Sequence, residues 1–343
     1  MHVRSPIHTL VALALAGAMA LVGCKKEKAT AGDSATTPQT KTRHVFKAPE
    51  GKPLKFAFVT NNASDFWKEA EAGLMKYHNE SGVQIDFKQP SGATVTEQNT
   101  ILDDLLTQGY NGIAISVINP DEQTRQINKA ASQTNVICVD SDCPNSNRLM
   151  YIGTFNYEAG KALGQQIVKL LPHGGKIAVF VGFFSADNAR ERLKGIEDAI
   201  AGHNIEIVAK KEDNKDTTKA RTNPEDVINN TSLGVNLMCG LWSYNGGAIA
   251  AAIEASGKKG KILEACFDGD EDTLKGIENG TISCTCVQKP FKFGYEASKA
   301  LNELATKGQS ALPANDKIDL GVEVIDSATV GDYRARLAQL IKK

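Results

Sequence analysis

Short apolar runs recur along the chain, separated by polar stretches with helical spacing. "LKFAFVT" (54–60), "GIAISVI" (112–118), "NVICVD" (135–140), "KIAVFVG" (176–182), "VNLMCGLW" (235–242) and "KILEACFD" (261–268) are nearly continuous rather than alternating. That pattern predicts strands covered on both faces, as in parallel sheets. Between them, "TVTEQNTILDDLLTQG" puts Ile101, Leu102, Leu105 and Leu106 on one helical stripe, closed by Gly109. In "INPDEQTRQINKAAS", Asn119 is placed to cap a helix and Pro120 to open it. "NARERLKGIEDAIAG" and "NGGAIAAAIEASG" repeat the pattern. Strand, helix, strand with short connections predicts an α/β fold of doubly wound parallel sheets. There are more strands than one such sheet comfortably holds, so two lobes are expected.

The first residues read differently. Residues 1–23 join Arg4 to an apolar run from Leu10 to Val22, too short to span a bilayer comfortably. This is the form of a secretory signal. "LVGC", Leu21 to Cys24, resembles the lipobox of bacterial lipoproteins, which implies that Cys24 is the lipidated first residue of the mature protein. Residues 24–51 are polar and nearly free of large apolar side chains, so they are expected to form a flexible tether.

The formal net charge is −1, which gives no electrostatic footprint for nucleic acid. Six cysteines follow Cys24: Cys138, Cys143, Cys239, Cys266, Cys284 and Cys286. Buried thiols or a disulfide fit an exported chain. "CTC" (284–286) puts two sulfurs on one strand face, but with Cys239 and Cys266 it matches no zinc spacing.

In doubly wound sheets ligands sit beyond the carboxyl ends of the strands. In order, those ends read "NNASDFW", "NP", "DSDC", "FFSADNARER", "KKEDNKD", "WSYNGG", "FDGDED" and "VQKP". None holds a histidine, which disfavours general acid–base catalysis. No G-x-G-x-x-G follows a strand and no phosphate loop occurs, so no nucleotide cofactor is expected. "DGDEDTLKGIEN" starts like a calcium loop, but Thr273 and Asn279 stand where glycine and glutamate are required. What remains is chemistry for hydroxyl groups. Planar Asp, Asn, Arg and Gln side chains meet adjacent hydroxyls in pairs, and aromatic faces cover the C–H face of a sugar ring.

At these residues the chain resembles the ribose-binding branch of periplasmic sugar-binding proteins, the type I substrate-binding subunits of ABC importers. "VTNNASDFW" is similar to the family's first-strand loop with its paired aromatics, and "GYNGIAISVINPD", "NVICVDSD", "NARERLKG", "SYNGGA", "FDG" and "VQKP" follow in order. The resemblance implies a type I fold, with lobes of residues 52–154 and 289–319 and of residues 155–288 and 320–343, joined by three crossing strands. It implies ligand contacts from Ser64, Phe66, Trp67, Asp140, Arg190 (the first arginine of "RER"), Asn245, Asp268 and Gln288. Two further positions, expected to contact the ligand, depart from the family pattern: Ser141 stands where ribose binders carry arginine, and Asn214 is the nearest match to a stacking aromatic. Trp242, Tyr244, Phe183 and Phe184 are candidates to replace that wall.

Other roles fit some of these residues. Asp268 and Asn245 are placed to cap helices, and Arg190 to be a solvated helix charge. Trp67, Ala70, Leu74 and Tyr77 share a core-facing spacing, so packing and ligand stacking both fit Trp67. The expected function is a monomeric, non-enzymatic, lipid-anchored subunit on the outer face of a bacterial membrane. It would carry a sugar or polyol to a permease and its ATPase, or, in the alternative, to a sensory receptor. A transcription regulator would need an N-terminal DNA-binding unit where this chain has an export signal, and a carboxylate-pair enzyme on Asp140 and Asp268 has no specific support.

Overall fold

The computed structural model of the protein describes residues 43–64 and 66–340. The signal, Cys24 and most of the expected tether lie outside the described residues. In chain order the strands are β1 (Lys55–Val59), β2 (Gln84–Lys88), β3 (Gly112–Ile115), β4 (Asn135–Val139), β5 (Tyr151–Gly153), β6 (Gly175–Val181), β7 (Ile205–Glu212), β8 (Leu237–Gly240), β9 (Leu263–Phe267), β10 (Cys284–Val287), β11 (Lys317–Asp319) and β12 (Glu323–Asp326). The helices are α1 (Phe66–Ser81), α2 (Val95–Thr107), α3 (Pro120–Ala131), α4 (Asn156–Leu170), α5 (Asp187–Ile200), α6 (Thr217–Asn229), α7 (Ser243–Ala255), α8 (Glu271–Glu278), α9 (Pro290–Lys307) and α10 (Val330–Leu340).

The strands form two six-stranded sheets, β11-β5-β4-β3-β1-β2 and β12-β10-β9-β8-β6-β7. Pairing is parallel except where β12 runs antiparallel to β10. The continuous apolar runs are explained by this arrangement: β3, β4 and β8 are buried along their whole length, between helices on both faces. Asn119 accepts from the amides of Asp121 and Glu122, and Pro120 opens α3, so the local start signal is realised as read.

Sheet order divides the chain. The first lobe is built on β1–β5 and β11, the second on β6–β10 and β12. The chain passes between them at 154–155, 288–289 and 320–322. Helix α9 follows the second crossing and packs its Phe293, Ala297 and Leu301 into the first lobe's core. Helices α4 and α5 cover the second sheet. They approach so closely that a Cβ on Gly160 would lie 2.2 Å from the carbonyl oxygen of Arg192, so the position of Arg192 is set by backbone packing.

The expected tether ends earlier than its composition indicated. Val45 is buried in the first lobe's core, and Phe46 exchanges hydrogen bonds with the Asn135 side chain, 2.9 and 2.8 Å. The Ala48 amide donates to the Ala305 carbonyl at 2.8 Å. These bonds are made by backbone groups, which composition does not register. All six described cysteines are free and buried. Cys239, Cys284 and Cys286 face the α4–α5 layer and Cys266 the opposite one, so the four do not converge.

Candidate functional site

The carboxyl ends of both sheets meet at a narrow cleft. Asn61, Asn62, Ser64, Phe66, Trp67 and Asp140 line it from the first lobe. Asn188, Arg192, Trp242, Ser243, Tyr244 and Asp268 line it from the second, and Gln288 stands at a crossing. The lobes enclose a cavity of about 30 Å³.

Two carboxylates are presented by the same backbone device. Asp140 follows β4 and Asp268 follows β9, each with a left-handed φ, 58° and 66°. That conformation disfavours side chains by roughly 1–2 kcal/mol, and it turns each carboxylate off its strand end. Ser116 Oγ donates to Asp140 Oδ2 at 2.8 Å. The Gln288 amide and its Nε2 donate to Asp268 at 3.1 to 3.3 Å. Burial raises the Asp140 carboxyl to about 6, helped by Asp268 and opposed by the Arg192 charge. Burial also raises Asp268, again against Arg192.

Arg192 lies 4.0 Å from Asp268 Oδ2. Its Nε donates to Asn156 Oδ1 (3.0 Å), its Nη1 to the Leu241 carbonyl (2.6 Å), and its plane lies over the Phe267 ring at 4.2 Å. The side chain is therefore fixed, yet Nη2 is buried without a partner among the described residues. Gln288 Oε1 is in the same state. Unmade bonds on buried groups carry a desolvation penalty of about 1–3 kcal/mol each, so the cleft holds a donor and an acceptor with unused capacity.

The aromatic wall comes from both lobes. Phe66 and Trp67 meet edge to face at 4.9 Å, and Trp67 Nε1 donates to Asn61 Oδ1 at 3.2 Å. Trp242 Nε1 donates to Asn188 Oδ1 at 3.2 Å, and Tyr244 OH to Asp213 Oδ1 at 2.8 Å. Such bonds fix the ring orientations while leaving apolar faces for contact.

The profile of the periplasmic binding protein domain matches residues 56–310. The chain belongs to the periplasmic binding protein family. Members of this family are binding components rather than enzymes, and they work outside the cytoplasm. This periplasmic binding protein is 24% identical to the xylose/arabinose-binding protein of Sulfolobus acidocaldarius over 84% of its own chain and 74% of that one. It is 25% identical to the ribose import binding protein of Bacillus subtilis, over 76% and 85% respectively. A solute-binding protein of an ABC transporter from Burkholderia graminis, solved with D-arabinose, superposes with a TM-score of 0.78 at 28% identity, covering 83% and 99%. These likenesses fix the type I fold.

Of the residues expected to serve this binding protein, Ser64, Phe66, Trp67, Asp140, Asp268 and Gln288 line the cleft. Four do not. Arg190 is turned outward, its guanidinium spent on the Ser185 carbonyl (2.7 Å) and Asp187 Oδ1 (2.9 Å), with 44% of the side chain exposed. Residues two apart on a helix face opposite sides, so when Arg192 faces in, Arg190 faces out. Ser141 is fully buried beneath the cleft rather than in it. Asn214 is exposed on a turn. Asn245 accepts from the Trp242 amide at 3.0 Å and donates to Asp213 Oδ2 at 3.1 Å, so it caps its helix. Trp242 and Tyr244 supply the second wall, with Phe183 behind Trp242 at 6.3 Å. Sequence reasoning missed Asn188, Arg192 and Ser243. The helical phase of "NARER" against the apolar Ala189, Leu193 and Ile196 carries the signal for Arg192.

Proposed function

We propose that this binding protein captures a small sugar or polyol between its lobes by hinge closure and delivers it to the permease and ATPase of an ABC importer. The unpartnered Arg192 Nη2 and Gln288 Oε1, buried between two carboxylates and paired aromatics, carry the reading. A hydroxyl both donates and accepts, so a ring bearing several of them satisfies such a mixed set at once. The sugar-binding relatives support the class of ligand.

Ligand contacts are assigned to Ser64, Phe66, Trp67, Asp140, Asn188, Arg192, Trp242, Tyr244, Asp268 and Gln288. Contacts from both lobes make the closed form the better binder, and differential affinity of that kind is what drives closure. The signal and the lipobox-like "LVGC" support anchoring through Cys24, which would keep the protein beside its permease.

A thermal-shift panel of pentoses, hexoses, polyols and inositols tests this. A ligand at a hundred times its Kd should stabilise the fold by about 2.7 kcal/mol. If nothing in a broad millimolar panel moves the melting temperature, the reading fails. Uptake of the ligand by cells with and without the gene then separates import from delivery to a receptor.

A further inference from the structure

Lys215 reaches across the cleft from the second lobe, and none of the contacts assigned above uses it. Its backbone and that of Asn214 are both left-handed, φ 61° and 57°. Two consecutive non-glycine residues in that conformation persist only where the surroundings enforce it. The enforcement is visible: Asp213 Oδ1 accepts from the Lys215 amide at 2.7 Å, and the Asn214 amide donates to the Gly182 carbonyl at 2.9 Å. The side chain runs past Phe183 and Trp242, with Nζ 5.4 and 5.6 Å from the ring centres. It ends by donating to the Asn61 carbonyl of the other lobe at 3.0 Å.

An ammonium has three donors, and among the described residues Nζ meets that single acceptor. Among the described residues, the charged groups facing it are Asp140 across the cleft and Asp213 on its own turn. Asp140 is engaged by Ser116, and Asp213 by Tyr244 and Asn245. Burial pulls the ammonium down to about 8 in spite of both carboxylates.

We infer that Lys215 selects, among the sugars this cleft takes, one that bears a carboxylate, as in a uronic or aldonic acid. The inference rests on the cleft being a sugar site. A carboxylate supplies acceptors that the ammonium lacks, in a half-buried position beside two aromatic rings where the pair is stronger than in open water. A neutral hydroxyl leaves most of the cation's desolvation uncompensated. The dependence on pH has a definite sign. Acid-sugar binding requires the protonated amine, so its affinity holds below about pH 8 and falls above it. Binding of a neutral sugar gains nothing from that proton and does not fall there.

Calorimetric titration of the full-length protein with matched pairs tests it: D-galacturonate and D-galactose, D-glucuronate and D-glucose, D-ribonate and D-ribose, D-arabinonate and D-arabinose. In at least one pair the acid should bind about tenfold tighter at pH 7, as expected for a charge-assisted pair. The preference should shrink at pH 9.5, vanish in Lys215→Met and survive in Lys215→Arg at both pH values. Preference for the neutral partner in every pair that binds, or an acid preference untouched by Lys215→Met, overturns the inference and leaves sugar binding standing. No binding by any of the eight counts against both.

Discussion

Asp140 and Asp268 are counterparts: each follows a central strand of its own lobe, each has a left-handed φ, and they face one cleft from opposite sides. Arg192 lies beside Asp268 and its charge opposes the rise of both carboxyls. Two buried acids share one fixed cation, so burial raises both carboxyls. Burial of this kind is usually retained for binding.

Asp140→Asn separates the two effects. In the folded protein the carboxyl is raised to about 6, above its ordinary value near 3.9. Stability from this group is therefore full below the unfolded value and lost as pH rises through the folded one. Asparagine keeps an acceptor for Ser116 without the charge. The melting temperature at pH 7 should rise, by an amount on the order of 2 kcal/mol in stability, and the gain should disappear near pH 4, while ligand affinity falls. A melting temperature unchanged at pH 7 would show that Asp140 is not paying a burial cost.

The two arginines of "RER" should behave oppositely. Arg190→Ala removes an exposed guanidinium from a buried Asp187 and is expected to cost about 1–3 kcal/mol of stability, with ligand affinity intact. Arg192→Met should lose ligand binding at least a hundredfold, because the donor facing the cleft is gone and Asp268 is left uncompensated. Titration of both variants with a panel hit checks the assignment; equal losses would refute it.

Phe66 and Trp67 line the cleft but are largely buried, with 8% and 1% of their surface exposed. Trp67 packs on Phe58 at 5.9 Å and Phe66 on Phe293 at 6.1 Å. Trp67→Ala should therefore cost about 3–5 kcal/mol in denaturant unfolding. Phe66→Leu keeps most of the volume and should weaken ligand binding more than it weakens the fold.

Glu264, in β9, is fully buried, and neither carboxyl oxygen has a partner among the described residues. Burial raises it well above the ordinary range, so the folded protein holds a proton that the unfolded chain releases above about pH 4.3. Stability from this group falls as pH rises past that point. Glu264→Gln should raise the melting temperature at pH 8 and leave it nearly unchanged at pH 4. Equal effects at both pH values would contradict the assignment.

The fold was legible because parallel strands and amphipathic helices leave strong, local hydrophobic periods, as in β4 and α3. Chain position marked the strand ends "DSDC", "FDGDED" and "VQKP", the family resemblance picked Asp140, Asp268 and Gln288 within them, and all three line the cleft. The resemblance picked Arg190 where the helical phase favours Arg192, and the sequence does not decide where one asparagine serves equally as cap or contact, as Asn245 does. The packing of residues 43–48 was hidden for another reason. Its partners, Asn135 and Ala305, are brought near only by the tertiary fold.

Trp67 and Trp242 are the chain's two tryptophans, one on each side of the cleft. Their intrinsic emission during titration with the sugar and polyol panel therefore reads the central claim directly. A saturable change with at least one sugar or polyol, lost in Arg192→Met and kept in Arg190→Ala, is the expected result. No saturable change with any of them, or a change that Arg192→Met leaves intact, would contradict the account.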